Sequence, residues 1–228
     1  AGEWGSGGPP GGETLVVSST KSMKAHIDFA AENGFEYVMI DDGWFAGSGV
    51  APNYDPKANL FGDNPHFSLR EVTAYAKARG VKLWVWIDWR VLNPIMQKAL
   101  SYLEVNRIVG INVDFMDRDD QEMVRWYEKL LESAARHRLM VELHGAFVPR
   151  GLARTYPNFI TQEGVLGSEY NKWSRRITAG HNVMLAYTRG VLGRMDYIPG
   201  GFVNVSPKDF EPRFVLPMVQ TTRAHNLS

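Results

Sequence analysis

Gly34-Phe35-Glu36-Tyr37-Val38-Met39-Ile40-Asp41, Gly80-Val81-Lys82-Leu83-Trp84-Val85-Trp86-Ile87-Asp88 and Gly110-Ile111-Asn112-Val113-Asp114 share one pattern. In each, a helix-like run stops at a glycine, a short apolar run follows, and that run ends on an aspartate. Glycine caps a helix in the left-handed region without steric cost, and a short, near-continuous apolar run reads as a buried strand of a parallel sheet. Leu139 to His144 and Phe159 to Glu163 are two further runs that end on ionisable side chains. Helices alternating with parallel strands predict an α/β fold, and in a (β/α)8 TIM barrel the active site is built at the carboxyl ends of the strands. Several acids converging on one rim are costly unless they serve chemistry or bind a metal, so the pattern points to an enzyme.

Outward from these runs, Met23, Ile27 and Ala30 have helical spacing and lead to Gly34. Residues 45 to 67 read as a polar loop bearing Gly, Pro and Asn. Ser68-Leu69-Arg70-Glu71 has the form of a capping box and opens a helix to Gly80. A further helix is expected near Pro94 to Val105. Met123, Trp126, Tyr127, Leu130, Leu131 and Ala134 share one face of the clearest helix in the chain. Beyond it the period weakens: Asn182 to Tyr187 reads as a strand or the start of a helix, and Met195-Asp196-Tyr197 as a further strand. The expected total is six or seven strands, whereas a closed barrel has eight in about 250 residues. The abrupt ends predict a piece of a longer protein, with residues 1–228 forming one catalytic barrel domain whose last strand lies beyond Ser228.

Composition narrows the function classes. With 228 residues, 44% of them hydrophobic and 12% aromatic, the chain can bury one sizeable core. Its 25 basic and 25 acidic residues cancel and no basic block occurs, which argues against nucleic acid or an anionic membrane as partner and favours a neutral substrate. The absence of cysteine excludes disulfides and thiolate metal sites and leaves the compartment open. No apolar run reaches the ~18 residues of a membrane span, and the Gly/Pro-rich start, Ala1 to Gly12, lacks a signal-peptide profile. No phosphate-cradling glycine loop, GxSxG elbow or HExxH pair is present.

Asp114 ends a strand pattern just before the acidic run Asp117-Arg118-Asp119-Asp120. Asp119 and Asp120 read as a helix N-terminus, where carboxylates meet amide donors and the dipole, and Asp117 fits either role. From spacing alone Asp114 is either catalytic or a buried structural acid. Glu163 and Glu169 frame the glycine-rich loop 164–168. They are either surface acids or a pair suited to a hard cation and to proton donation. His144 is either a core histidine or a donor to a substrate hydroxyl. Trp44, Trp84, Trp86 and Trp89 supply material for a sugar-stacking platform, although alternate members of a strand point away from it.

Taken together, Val113-Asp114-Phe115-Met116-Asp117-Arg118-Asp119-Asp120-Gln121, His144-Gly145-Ala146, Arg154-Thr155-Tyr156-Pro157-Asn158, Thr161-Gln162-Glu163-Gly164-Val165, Gly167-Ser168-Glu169-Tyr170-Asn171-Lys172-Trp173 and Met195-Asp196-Tyr197-Ile198-Pro199-Gly200 resemble glycoside hydrolase family 97. The resemblance runs from about Lys21 to the C-terminus. It implies a calcium-dependent α-glycosidase with a (β/α)8 barrel between two β domains, acting on an oligosaccharide or glycoside in the bacterial periplasm or outside the cell.

The family's inverting α-glucosidase branch carries a glutamate after the histidine and lacks the strand-end aspartate. Here Gly145 follows His144 and Asp114 is present, as in the retaining, α-galactosidase branch. By resemblance Asp114 is the nucleophile, Glu169 the acid/base and a calcium ligand, and Glu163 a second calcium ligand. His144, Asp42 and Trp44 would contact the sugar. Two carboxyls roughly 5–5.5 Å apart are what a retaining mechanism needs. The chain departs from the family at Asn112, where lysine is usual, and at Asp42, where glutamate is usual. A retaining α-glucosidase and an inactive sugar-binding barrel fragment are the alternatives; a metal-dependent hydrolase would want a histidine pair that the sequence lacks.

Overall fold

The computed structural model describes residues 19–48, 55–62, 64–199, 201–214 and 216–227. The Gly/Pro-rich start, part of the polar loop and Gly200 lie outside the described residues. The chain divides into two compact units, one running to Ala146 and including Leu152–Ile160, the other comprising Phe147–Gly151 and the chain from Thr161 onward.

The first unit is a succession of βα units. Parallel strands β1 (Tyr37–Ile40), β2 (Lys82–Asp88), β3 (Ile108–Asp114) and β4 (Met140–Leu143) lie side by side in chain order. Strand β5 (Phe159–Gln162) follows in the five-stranded sheet, and the boundary between the units falls within it. Helices α1 (Thr20–Glu32), α2 (Leu69–Arg79), α3 (Trp89–Leu92), α4 (Met96–Val105), α5 (Gln121–Arg136) and α6 (Leu152–Thr155) connect or follow the strands. Leu83 to Asp88 are all buried, as expected for a central strand covered on both faces. Register places Asp88 opposite Asp114 and Val113 opposite Leu143, so these strand ends come level.

Local chemistry explains the helix boundaries. The Ser19 hydroxyl accepts the Ser22 N–H at 3.0 Å and Ser22 reciprocates, a complete capping box that opens α1, which buries Met23, Ile27 and Ala30. At α2 only half of the expected box forms: Ser68 Oγ accepts the Glu71 N–H. Asp120 opens α5 by accepting the N–H groups of Glu122 and Met123. Hydrogen bonding from Arg118, followed by that of the Met123 amide, draws the Asp120 carboxyl below its ordinary value. Helix α5 buries Met123, Tyr127, Leu130, Leu131 and Ala134, whereas Trp126 stands at the margin and donates its Nε1–H to Asn93 at 2.8 Å.

Gly110 departs from the expected pattern. Helix α4 ends earlier, at Asn106, and Arg107 turns the chain with φ 63°; Arg138, φ 58°, does the same before β4. Gly110 sits inside β3, where a Cβ would come within 2.2 Å of the Trp84 ring. This glycine makes room for an indole lying across the sheet and caps no helix.

The second unit holds a 3-10 turn (Ser168–Lys172), α7 (Ala179–Tyr187), a second 3-10 turn (Arg189–Leu192), the short parallel pair β6 (Val203–Asn204) and β7 (Met218–Val219), and α8 (Arg223–Leu227). Asn182 to Tyr187 is therefore helical, with Thr178 as its N-cap. Met195 to Tyr197 is not a strand: Ile198 adopts φ 55° and turns the chain, while the Tyr197 carbonyl accepts the Ser168 N–H. Among the described residues five strands form the main sheet, where six or seven were expected. No helix of these residues is long and apolar enough to cross a membrane.

Candidate active site

The carboxyl ends of β1 to β4 carry the residues that the sequence singles out, in different states of engagement. Asp42 is buried; its N–H donates to Asp41 Oδ1, and its own Oδ1 accepts the Gly43 N–H, both at 2.8 Å. Trp44 is only 2% exposed, packs edge-on against Phe45, and donates its Nε1–H to the Trp86 carbonyl at 2.7 Å. Trp44, one of the four tryptophans read as material for a stacking platform, is thus buried here, its indole tying the turn after β1 to β2. Asp88 is also structural, because Oδ1 accepts the Arg90 N–H at 2.8 Å and the two carboxylate oxygens form a forked ion pair with its guanidinium.

Asp114 is half-buried and held at both oxygens. Oδ1 accepts the Phe115 N–H at 2.5 Å and Oδ2 accepts the Trp86 Nε1–H at 3.1 Å. Phe115 and Asp117 have positive φ, 64° and 47°, so the chain after Asp114 turns tightly and returns against β4. There the Asp117 N–H donates to the Gly145 carbonyl at 2.8 Å. Gly145, φ 52°, lies so close that a Cβ would meet Phe115 N at 2.8 Å and Phe115 Cα at 2.9 Å. Next to it, His144 is anchored by its N–H to the Val113 carbonyl, and its Nε2 lies 3.5 Å from Glu142 Oε1. Asn112, opposite Trp86 and Glu142 in register, is fully buried, and neither side-chain polar atom has a hydrogen-bond partner. The phenol of Tyr127 on α5 is pushed well above its usual pKa, first by burial and then by the charges of Asp117 and Asp114.

In the second unit Glu163 directly follows β5 and Glu169 lies in the first turn of the Ser168–Lys172 segment. Glu169 Oε1 accepts from Lys172 Nζ at 3.1 Å, an ion pair in which the lysine side chain is 8% exposed. The backbone around Glu163 is fixed by Arg189, whose buried guanidinium donates to five carbonyl oxygens, those of Gln162, Glu163, Gly164, Gly193 and Arg194. Burial lowers its pKa from the ordinary guanidinium value. The sequence offered no signal for Arg189, since an arginine after an apolar helix reads as a C-terminal charge. The role of Trp86 was equally hidden, because alternation says which face an indole occupies and not which atom it reaches.

Successive parallel βα units with carboxylates at the carboxyl ends of their strands make an α/β framework of the kind on whose rim active sites are built. The chain belongs to glycoside hydrolase family 97: the family model described as Glycoside hydrolase 97 matches residues 11–165. A probable retaining alpha-galactosidase of Streptomyces bingchenggensis is 37% identical over 203 residues, which cover 87% of this chain and 29% of that protein. The retaining alpha-galactosidase of Bacteroides thetaiotaomicron is 35% identical over 227 residues, covering 99% and 33% respectively. Among solved structures, a family 97 enzyme from Pseudoalteromonas sp. strain K8 in complex with acarbose superposes with a TM-score of 0.73 at 28% identity, covering 83% of this chain and 32% of that one. The chain thus spans about a third of the length of these relatives.

Proposed function

We propose that the complete protein is a retaining exo-acting α-galactoside hydrolase, and that the five-stranded sheet is part of a (β/α)8 barrel. The observation that carries this reading is the packing at Gly145. A retaining enzyme needs a carboxylate to attack the anomeric carbon, and Asp114 lies at the end of β3; the position after His144, where the resemblance puts the base of the inverting branch, is Gly145, and there the backbone of Phe115 leaves no room for a side chain. The names of the two curated relatives favour the same branch.

On this reading an Asp114 oxygen attacks C1 of the galactoside as the C1–O bond to the leaving group breaks, and Glu169 gives its proton to the departing oxygen. The product is a covalent β-galactosyl ester. Glu169, now ionised, takes a proton from water as the water oxygen attacks C1 from the opposite face, which frees Asp114 and yields α-galactose. His144 is proposed to contact a sugar hydroxyl, as is the turn at Asp42. Proton NMR of the first anomer released from an aryl α-galactoside tests this: initial α-galactose is expected, and initial β-galactose would rule out double displacement. Running the matching α-glucoside in parallel decides between the two epimers.

Glu163 and Glu169 are proposed calcium ligands. Their donors are of the right kind, hard carboxylate oxygens, but calcium takes six to eight oxygens, so flanking β domains of the longer parent are proposed to complete the shell. Bound there, the ion would hold the Glu169 carboxyl in place and add positive charge beside it. Removal of calcium from the complete protein by a chelator is expected to lower both activity and melting temperature, and readdition to restore both. Unchanged melting and activity after exhaustive chelation would refute the role.

A further inference from the structure

We infer that Trp86 is a positioning residue for the reaction, its indole N–H orienting the Asp114 carboxylate for attack, with Trp44 holding Trp86 in turn. The inference rests on the reading of Asp114 as the nucleophile.

Three strand ends are joined by two indole donors. Trp44, beyond β1, donates to the Trp86 carbonyl on β2 at 2.7 Å; Trp86 donates to Asp114 Oδ2, at the end of β3, at 3.1 Å. Both indoles are buried, at 2% and 5% exposure, so neither N–H exchanges its partner for bulk water at little cost. Trp86 sits opposite Asn112 in register, yet its N–H reaches the residue two positions further along β3. An edge-on contact with Phe115, ring centroids 5.9 Å apart, sets the angle of the indole. The Phe115 N–H meanwhile occupies Oδ1.

A carboxylate free to rotate presents its lone pairs in many directions, only one of which lies in line with the anomeric carbon. With a directed donor on each oxygen, rotation is restricted and the ionised form is favoured over the protonated one. Asn112 makes the indole more important. Two residues before Asp114, the buried amide of Asn112 is neutral and makes no hydrogen bond, so it lends the carboxylate neither a cation nor a fixed donor.

The test uses the complete parent protein with Trp86→Phe, which keeps an aromatic ring against Phe115 and removes the N–H. A second variant replaces Trp86 with benzothienylalanine, an isostere that retains the bicyclic shape and guards against misfolding of the first. For an activated aryl α-galactoside, kcat/KM is expected to fall roughly ten-fold or more, while inhibition by galactose stays unchanged. Because Asp114 must be ionised to attack, loss of a donor to its charged form raises its pKa, and the acid limb of kcat/KM should move up by roughly one pH unit. The titratable groups at the neighbouring strand ends and on α5 are the same in every variant: Asp41 after β1, Asp88 opposite Asp114 in register and paired with Arg90, Asp117, Tyr127, and Glu142 with His144 at the end of β4. An unmoved acid limb, or a fall in kcat/KM matched by weaker galactose inhibition and a lower melting temperature, would make Trp86 a packing residue and overturn the inference. Azide rescue of Asp114→Gly separates the two ideas. If that rescue succeeds and both Trp86 variants behave as the parent, positioning fails alone; if no galactosyl azide forms, the nucleophile assignment has failed first.

Discussion

If the proposed double displacement holds, Asp114→Gly in the complete protein is expected to lower hydrolysis of α-galactosides by at least about a thousand-fold, because it removes the proposed nucleophilic atom. The structure makes glycine a suitable replacement. Oδ1 accepts the N–H of the next residue and Oδ2 accepts the Trp86 indole, so truncation leaves two donors facing the vacated space. That space suits a small anion. Added azide should enter it and attack C1 from the face that Asp114 used, giving β-galactosyl azide from an α-galactoside with a good leaving group. Mass and NMR analysis of the product checks both identity and configuration. An α-configured azide, or the same azide-independent residual rate with any anion, would count against Asp114 as nucleophile.

Gly145→Glu is the second large effect. On sequence reasoning it is the change that would install an inverting base. The structure predicts a different result, since a Cβ at that position would meet Phe115 N at 2.8 Å and Cα at 2.9 Å, with φ at 52°. Backbone strain and overpacking each cost about 1–3 kcal/mol, so a combined loss of about 2–6 kcal/mol is expected, visible in chemical denaturation. The turn from Asp114 to Asp117 must move to admit the side chain, and activity should fall with retention of configuration in whatever remains. A stable variant that releases β-galactose would show that the branch is set by this one side chain and not by the surrounding backbone.

The strand ends are legible in the sequence because a buried parallel strand leaves its mark as an apolar run, and the first polar residue after it marks the rim. Asp41, Asp88, Asp114, His144 and Glu163 all fall at or one residue beyond such ends. Less of the rim's chemistry is legible. Asp88 looks like Asp114 in sequence, and only the Arg90 fork two residues later separates a structural acid from a candidate nucleophile. Trp44 reads as material for a sugar platform, and neither its burial nor its carbonyl partner on the next strand is legible in the sequence. Gly110 misleads for a related reason: glycine signals both positive φ and close approach, and the Trp84 ring that needs the space lies on a neighbouring strand. After Glu163 the strand pattern fades, since Met195 to Tyr197 carries the right residue types for extension but is bent by its following turn.

Arg189 limits how this chain can be re-engineered. The short segment around Glu163 looks, in sequence, like a self-contained loop that could be randomised or grafted to change specificity. Its conformation is instead fixed about 25 residues downstream, by one side chain that gathers carbonyls from both Gln162–Gly164 and Gly193–Arg194. Lysine has three donors and cannot reproduce that arrangement. Any library that varies 163–172 must keep position 189 and the 193–194 turn intact, and a graft of this loop into another scaffold must carry both segments together.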